Sequence, residues 1–229
     1  MASGSTPYTD FGLSVYDFVA LKIAASYLWK CPTTSVLLPF FIANAGPNHM
    51  DIGVGTGYYL KAMKEQEQLA NRVWPQKLVL VDLNPKCLEK AASRLGQPER
   101  TACVQADILQ PLSLPPSLSD GTLTQFDSIG LMGILHCLPP PIKNKTQVFA
   151  NVKKYLSPEG TLFGITLLGK GVQHNWMGRI LMWYMNKNGY FGNTDDAKEE
   201  FVEALQSEFE DVETTVEGCI LLFRARKPK

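Results

Sequence analysis

The sequence predicts an α/β fold in which helices cover both faces of a mostly parallel β-sheet. Short apolar runs alternate with helix-like segments along the chain, which is the pattern of such folds. One run, Thr161 to Leu168, is apolar almost throughout, as expected for a parallel strand buried on both faces. The 229 residues can form one large core, and neither a linker nor an internal repeat divides them. We therefore predict a single domain over residues 1–229.

Two apolar, helix-like segments precede the first predicted strand, about Tyr16 to Trp29 and about Ser35 to Ala45. We expect residues 1–46 to form a helical cover. After the first strand we predict a helix to about Gln68, a strand ending at Asp82 and a helix from Pro85 to Leu95. A strand ending near Asp107 and a strand from Phe126 to Met132 follow, and then a helix from Ile142 to Leu156 ended by Pro158-Glu159-Gly160. The next predicted elements are a strand from Thr161 to Leu168 and helices at about Asn175 to Asn186 and Asp196 to Phe209.

The end of the chain predicts an antiparallel hairpin. Two strand-like runs, about Val212 to Val216 and Cys219 to Arg224, are joined by the turn signal Glu217-Gly218. This hairpin distinguishes the chain from a dinucleotide-binding fold, in which the sheet stays parallel.

Composition and charge exclude several classes of protein. The net charge is +0 and no basic block is present, so we expect no nucleic-acid partner. No segment reaches ~18 uninterrupted apolar residues, so we expect no membrane span. The five cysteines are scattered without a CxxC pair, which favours reduced thiols and predicts no metal site. The first residues lack the features of a signal peptide, so the expected location is cytoplasmic.

The most informative motif is a glycine-rich turn between a strand and a helix. Asp51 and Ile52 end an apolar run, and Gly53, Gly55 and Gly57 follow at alternate positions. Such a turn presents free backbone N–H groups and lets the backbone approach a ligand closely. The spacing G-x-G-x-G differs from the dinucleotide motif G-x-G-x-x-G, and the Gly-Lys-Ser/Thr of a P-loop is absent. The turn therefore predicts a nucleotide-type ligand held in neither of these two ways.

At these residues the chain resembles the class I S-adenosylmethionine-dependent methyltransferases, whose first motif is acidic-x-G-x-G-x-G. Three further motifs follow in the family's order, Val79–Asn84, Val104–Ile108 and Phe126–Met132, and the last of them is followed by the phrase His-Cys-Leu-Pro of some small-molecule members. The resemblance implies a Rossmann-like, seven-stranded, mostly parallel sheet with one antiparallel strand.

The resemblance implies S-adenosylmethionine as cofactor and S-adenosylhomocysteine as its product. Asp51 would hold the ammonium group, Asp82 would accept from both ribose hydroxyls, and Asp107 would accept from the adenine amine. The full predicted cofactor set is Asp51, Gly53, Gly55, Gly57, Asp82, Leu83, Asp107, Ile108 and Met132. An acid at a strand end can instead cap the following helix, and this alternative stays open for each acid taken singly.

Methyl transfer requires alignment more than acid–base chemistry, but a hydroxyl acceptor can use a general base. His136 follows the fourth strand, beside the loop that borders the methyl group in the family, and is the predicted base. Residues 170–195 are predicted to be a substrate-lid insertion. Its helix is apolar nearly all round, which predicts burial under core or against an apolar ligand. The predicted substrate contacts are Tyr16, His174, Trp176, Trp183 and Tyr184.

Three functions are compatible with these motifs. The first is methyl transfer to oxygen, nitrogen or carbon of a small, apolar or aromatic secondary metabolite. The second is a methyltransferase-fold enzyme that binds the cofactor but catalyses a cyclisation or elimination in natural-product biosynthesis. The third, a non-catalytic regulatory subunit, is disfavoured because the glycine motif is complete. A small molecule is the expected substrate, and the chain is compatible with a homodimer.

Overall fold

The computed structural model describes residues 17–69, 75–114 and 125–229, so that Tyr16 lies outside the described residues. The strands are β1 (Asn48–Ile52), β2 (Lys77–Asp82), β3 (Thr101–Gln105), β4 (Phe126–Met132), β5 (Leu156–Leu167), β6 (Phe209–Glu217) and β7 (Ile220–Pro228). They form one sheet in the order β3-β2-β1-β4-β5-β7-β6. β1 to β5 pair in parallel, and β7 is antiparallel to both β5 and β6. The predicted sheet and its closing hairpin are confirmed.

The helices are α1 (Asp17–Leu28), α2 (Thr33–Leu37), α3 (Leu38–Asn44), α4 (Tyr58–Leu69), α5 (Pro85–Leu95), α6 (Ile142–Lys153), α7 (Trp176–Lys187) and α8 (Lys198–Glu208). The first two are π-type helices, and α2 continues directly into α3. A short 3-10 turn, Leu135–Cys137, follows β4.

Local chemistry accounts for the bounds of α5, which are those predicted. The Asn84 side chain accepts a hydrogen bond from the Lys86 N–H and so caps the first turn. Proline at the first position has the φ that a helix requires and lacks only a hydrogen-bond donor that would be unpaired there. At the other end Gly96 adopts a left-handed conformation with φ +60°, which ends the helix.

The start of β5 differs from the prediction. The strand begins at Leu156 instead of Thr161, so that Pro158-Glu159-Gly160 lies inside it. Pairing with β4 shifts along this stretch, from Leu156 opposite Phe126 to Thr161 opposite Ser128. The extra residues form a bulge, where proline and glycine are tolerated in a strand. The local turn signal is therefore real, but pairing with β4 continues on both sides of it.

Each face of the sheet carries its own apolar cluster. Side chains alternate along β2, so Leu78 and Leu80 join one cluster and Val79 and Val81 join the other. The first cluster includes residues of α3, α4 and α5, and the second includes residues of α6 and α8. None of the helices in the described ranges is long and apolar enough to cross a bilayer.

Candidate active site

The candidate site lies at the carboxyl ends of β1, β2 and β4. The strand order reverses between β1 and β4, since the chain continues to β2 on one side and returns to β4 on the other. In open α/β sheets a crevice opens at such a reversal, and ligands bind there. The loops that follow Ile52, Asp82 and Met132 border this crevice.

The three glycines of the turn have positive φ, +69° at Gly53, +53° at Gly55 and +71° at Gly57, but they differ in what surrounds them. A Cβ on Gly53 would lie 2.7 Å from Ile134 Cδ1, and one on Gly57 would lie 3.0 Å from the Cβ of Ala91 in α5. These two glycines allow close packing within the protein. A Cβ on Gly55 would meet nothing within 4 Å. Gly55 therefore faces the open space where a ligand can approach the backbone.

Side chains from two other elements hold the turn in place. Arg94 of α5 donates from Nη1 to the Thr56 carbonyl at 3.0 Å and to Thr56 Oγ1 at 2.9 Å. The Gly55 N–H donates to Asp82 Oδ2 at 3.2 Å. The turn is thus fixed before any ligand binds, which lowers the entropic cost of binding.

Asp82 is placed as the resemblance implies. Its Oδ1 accepts from the Asn84 N–H at 2.9 Å, and each carboxylate oxygen retains capacity for a second hydrogen bond. Because Asn84 is the helix cap, Asp82 is not needed for that purpose. The next side chain, Leu83, is apolar and yet 65% exposed, so it offers a surface against which a flat ring can lie.

Asp107 makes a hydrogen bond within the turn that follows β3, and its contact with the adenine amine stays a prediction. It lies after the end of β3, and its Oδ1 accepts from the Leu109 N–H at 3.0 Å, which closes a turn. The side chain is exposed, and its second oxygen is not used in that bond. Asn151 of α6 donates to the carbonyl of the buried Ile108 at 3.1 Å and holds the turn against the domain.

Asp51 is the electrostatic centre of the crevice. Asp51 is only 4% exposed. Its carboxyl group makes no hydrogen bond or ion pair with any residue that the structure describes. Burial, and secondarily the neighbouring Asp82, raise the pKa of Asp51 to about 8. A carboxyl group in this position lacks a cation. A ligand with an ammonium group at this point would supply it.

The opposite wall follows β4 and carries uncharged groups. Met132 and Ile134 are half-buried, and Phe191 packs edge-on against the His136 ring with centroids 4.7 Å apart. His136 Nδ1 lies 3.5 Å from the Leu167 N–H, a long hydrogen bond. Burial, and secondarily the nearby Lys145 ammonium, lower the pKa of His136 to about 3. The ring is therefore neutral at ordinary pH.

The burial of the α7 aromatic residues under core, the first of the two predicted alternatives, is wrong, and their burial against an apolar ligand stays a prediction. Trp176 is 70% exposed and Trp183 is 61% exposed, whereas Gly178 and Met182 form the buried face of the helix. An open cavity of about 460 Å³ lies on the outer face, lined by Trp176, Arg179, Ile180 and Trp183. The apolar composition was misleading because the small Gly178, which packs on Trp29, lets one narrow side make the whole contact.

The other predicted substrate residues lie on α7 or just before it. The His174 Nε2–H donates to the Leu168 carbonyl at 2.9 Å, and the ring packs edge-on against Trp29. Tyr184 is half exposed on α7. Their contacts with a substrate stay predictions, as does that of Tyr16 outside the described residues.

Comparison with known proteins identifies the family. Residues 50–162 match the family described as a methyltransferase domain. The chain is 46% identical over 225 residues to Methyltransferase verB of Penicillium polonicum, with 96% of each protein covered. This chain belongs to the S-adenosylmethionine-dependent methyltransferases.

Two further likenesses agree with this assignment. The Physcion biosynthesis cluster O-methyltransferase of Aspergillus chevalieri is 41% identical over 228 residues, which cover 99% of this chain and 96% of that protein. The crystal structure of the N-methyltransferase NodS from Bradyrhizobium japonicum WM9 with S-adenosylhomocysteine has a TM-score of 0.57 at 19% identity, over 84% of each chain. S-adenosylmethionine is the cofactor of the family to which this chain belongs, and a subgroup defined by His-Cys-Leu-Pro stays a prediction.

The crevice fits that cofactor on two observations. Asp51 is a buried acid without a cation, and Gly55 turns its open side toward free space. Sequence reasoning missed the residues that hold the glycine turn and the turn at Ile108, namely Thr56, Arg94 and Asn151. Thr56 lies inside the motif and could have been suspected, but the others act through contacts between distant segments.

We predict that Gly55→Ala lowers cofactor affinity by a steric effect that is separate from its effect on folding stability. The new methyl group enters the open space used by the ligand, so the affinity for S-adenosylhomocysteine should fall at least about tenfold, ~1.4 kcal/mol. The positive φ should lower the free energy of unfolding by ~1–2 kcal/mol. Titration calorimetry and thermal unfolding measure the two effects separately.

Gly96→Ala is the matched control, because Gly96 also has a positive φ and open space around it but lies at the end of α5. It should lose similar stability and keep full affinity. Equal affinities of both variants for S-adenosylhomocysteine would contradict the ligand role of Gly55.

We predict that Asp51→Asn gains stability while it loses the cofactor. The folded-state pKa of Asp51, about 8, lies above its unfolded value, so its contribution to stability is full below pH ~4 and is lost as pH rises to 8. The stability of the variant relative to wild type should therefore increase from pH 5 to pH 8, by at least ~1 kcal/mol. Affinity for S-adenosylhomocysteine should fall at least about tenfold.

Glu89→Gln removes an exposed carboxylate of α5 and controls for general charge effects. Its stability relative to wild type should not change between the two pH values. If the stability difference between Asp51→Asn and wild type were also independent of pH, the prediction would be contradicted. Asp51 would then be charged in the folded protein without a loss of stability.

Proposed function

We propose that this methyltransferase transfers a methyl group to a hydroxyl of a small aromatic metabolite. The uncharged wall that follows β4 carries the proposal, because Met132, Ile134 and Phe191 each expose part of an apolar side chain there. Such a surface suits a flat apolar ring better than a phosphorylated or highly charged molecule. The relative from Aspergillus chevalieri, which carries an O-methyltransferase name in a biosynthetic cluster, supports a hydroxyl acceptor.

The proposed cofactor contacts follow from the two ends of the crevice. Asp51 would hold the ammonium group and Gly55 would let the backbone lie against the ligand. Asp82 would accept from the ribose hydroxyls with the lone pairs that Gly55 and Asn84 leave free. The adenine would lie on Leu83, with Asp107 and Ile108 at its edge and Met132 near the methyl group. Gly53 and Gly57 would serve packing within the protein.

The residues of the site would act by alignment and by excluding water. The cofactor supplies an electrophilic methyl on a positively charged sulfur. The fixed glycine turn and Asp82 would hold the ligand in one orientation, and the apolar wall would place the acceptor on the β4 side. Alignment of this kind can supply several kcal/mol of the barrier reduction, on the order of 7–11 kcal/mol in the best cases.

In this proposal His136 contributes less to proton transfer than expected of a general base, the role that its position after β4 predicted. A general base works best when its pKa is near the working pH, and the pKa of His136 is about 3. A phenol with a low pKa of its own ionises without help, so it would need little from His136. We propose that the ring orients the acceptor or the loop that follows β4.

Two other expectations stay proposals. The exposed rings of Trp176, Trp183 and Tyr184 can contact an acceptor only from the outer side of α7. The homodimer is a prediction that analytical ultracentrifugation can test. No observation on the described residues favours the non-methylating alternative. The apolar wall and the acidic residues would serve methyl transfer as well as they would serve a cyclisation or elimination.

We predict that aromatic hydroxyls accept the methyl group. Isotopically labelled S-adenosylmethionine should label a naphthol and not the matched naphthylamine, because the proposed acceptor is a hydroxyl oxygen. The rate should rise with pH as the phenol ionises. Labelling of the amine alone would contradict the proposal, and conversion of either compound without label would favour the non-methylating alternative.

We predict that His136→Asn lowers kcat less than tenfold with cofactor affinity retained. The neutral ring has little basicity to lose, so alignment remains the main contribution. Steady-state kinetics with a labelled phenol measures kcat, and calorimetry measures the affinity. A loss of ~10²-fold or more would restore His136 as the general base.

A further inference from the structure

His49 is a fully buried titratable residue to which the methyl-transfer reaction assigns no role. It lies on β1 with 0% exposure, two residues before Asp51. Phe163 stacks on its ring and Phe41 packs edge-on against it, with centroids 5.8 Å and 5.6 Å away. These contacts fix the plane of the ring. A polar ring in such surroundings needs partners for both of its nitrogens.

One nitrogen has a partner that determines where the proton lies. His49 Nδ1 is 2.7 Å from Ser128 Oγ, and Ser128 Oγ also receives the Gly46 N–H at 2.7 Å. The amide can only donate, so the serine oxygen accepts from it and can donate its own proton to His49 Nδ1. That arrangement puts the ring proton on Nε2.

The other nitrogen belongs to a ring that lies on the same face of the sheet as the carboxyl group of Asp51. His49 and Asp51 alternate with Met50 along β1 and so project from the same face of the sheet. Gly130 of β4 lies opposite Asp51 in the register. The position of a Cβ on Gly130 would be 3.4 Å from both His49 Nε2 and Asp51 Oδ1. The two groups thus flank one point, and Nε2 makes no hydrogen bond to any residue that the structure describes.

The neutral state of the His49 ring suits its position near Asp51. Burial lowers the pKa of His49 to about 3, against the opposing effect of the Ser128 hydrogen bond, so the ring stays neutral. A lysine or arginine here would form an ion pair with Asp51 and compete with the cation of a ligand. A neutral N–H can favour the carboxylate and leave its positive partner to come from the ligand. Asp82 is the charged group that acts on Asp51 from β2.

We propose that His49 is a positioning residue for the amino-acid end of the cofactor. Its Nε2–H, oriented by Ser128, supports the charged form of Asp51 when the ligand's ammonium group binds. The proposal rests on the assigned partnership of Asp51 with that ammonium group. It adds a chain of three groups, Gly46, Ser128 and His49, that acts beneath the crevice without touching the ligand.

Two substitutions of similar size separate this role from core packing. His49→Gln places an amide nitrogen near the position of Nε2, whereas His49→Asn places its amide near Nδ1. Both replace a ring between Phe41 and Phe163, so both should lose comparable stability in thermal unfolding. Only the glutamine can still donate toward Asp51.

The readout is the ratio of two affinities measured by calorimetry, for S-adenosylhomocysteine and for 5′-methylthioadenosine. The second compound lacks the amino-acid end, so its affinity reports the rest of the site. We expect His49→Asn to weaken S-adenosylhomocysteine about tenfold with the affinity for 5′-methylthioadenosine unchanged, and His49→Gln to restore the wild-type ratio within about threefold. The pH midpoint of S-adenosylhomocysteine affinity should move upward in His49→Asn alone.

Equal ratios in the two variants, or a parallel loss of both ligands, would overturn the proposal and make His49 a packing residue. Ser128→Ala removes the orientation of the ring and should reproduce the His49→Asn ratio if neither His49 variant folds. Asp51→Asn tests the underlying assignment independently. If it leaves the wild-type ratio unchanged, the role of Asp51 is wrong, whatever the His49 variants show.

Discussion

The structure depends on a buried carboxyl group, that of Asp51, for which the described residues provide no cation. Asp51 is 4% exposed, lies near Asp82, and has no hydrogen bond within the described chain. An arrangement of this kind lowers the stability of the unliganded protein, because burial disfavours charge. It also creates a strong preference for a ligand that carries a positive group. The affinity for such a ligand therefore comes partly from relief of an unfavourable state.

The fold places the Asp51 carboxyl group where a ligand can reach it. β1 ends at the reversal of strand order, and the turn after it is held by Arg94 from α5 and by the Asp82 carboxylate. The apolar wall after β4 faces the other side of the crevice. In the proposed complex, two neighbouring walls, one acidic and one uncharged, would separate the cofactor's charged end from the acceptor.

The sequence predicted those parts of the molecule that depend on local chemistry. Pro85, Asn84 and Gly96 determine both ends of α5, and the glycine spacing predicted the turn between β1 and α4. It could not predict the bulge in β5, because Pro158-Glu159-Gly160 signals a turn whether or not pairing with β4 continues. The exposure of Trp176 was missed for a similar reason, since composition does not show that Gly178 and Met182 provide the packed side of α7. The relation of His49 to Ser128 joins segments far apart in the chain and exists only in the folded protein.

The most direct test of Asp51 as the uncompensated acid is the number of protons released when S-adenosylhomocysteine binds. Calorimetry at pH 7 in buffers of different ionisation enthalpy gives this number from the slope of the observed heat. With a pKa of about 8 in the free protein, most Asp51 carboxyl groups are protonated at pH 7 and must ionise to meet the ligand's ammonium group. We predict release of close to one proton, which falls as the pH is raised past 8 and is absent in Asp51→Asn. The same heat in every buffer, meaning no proton released by the wild-type protein, would contradict the account.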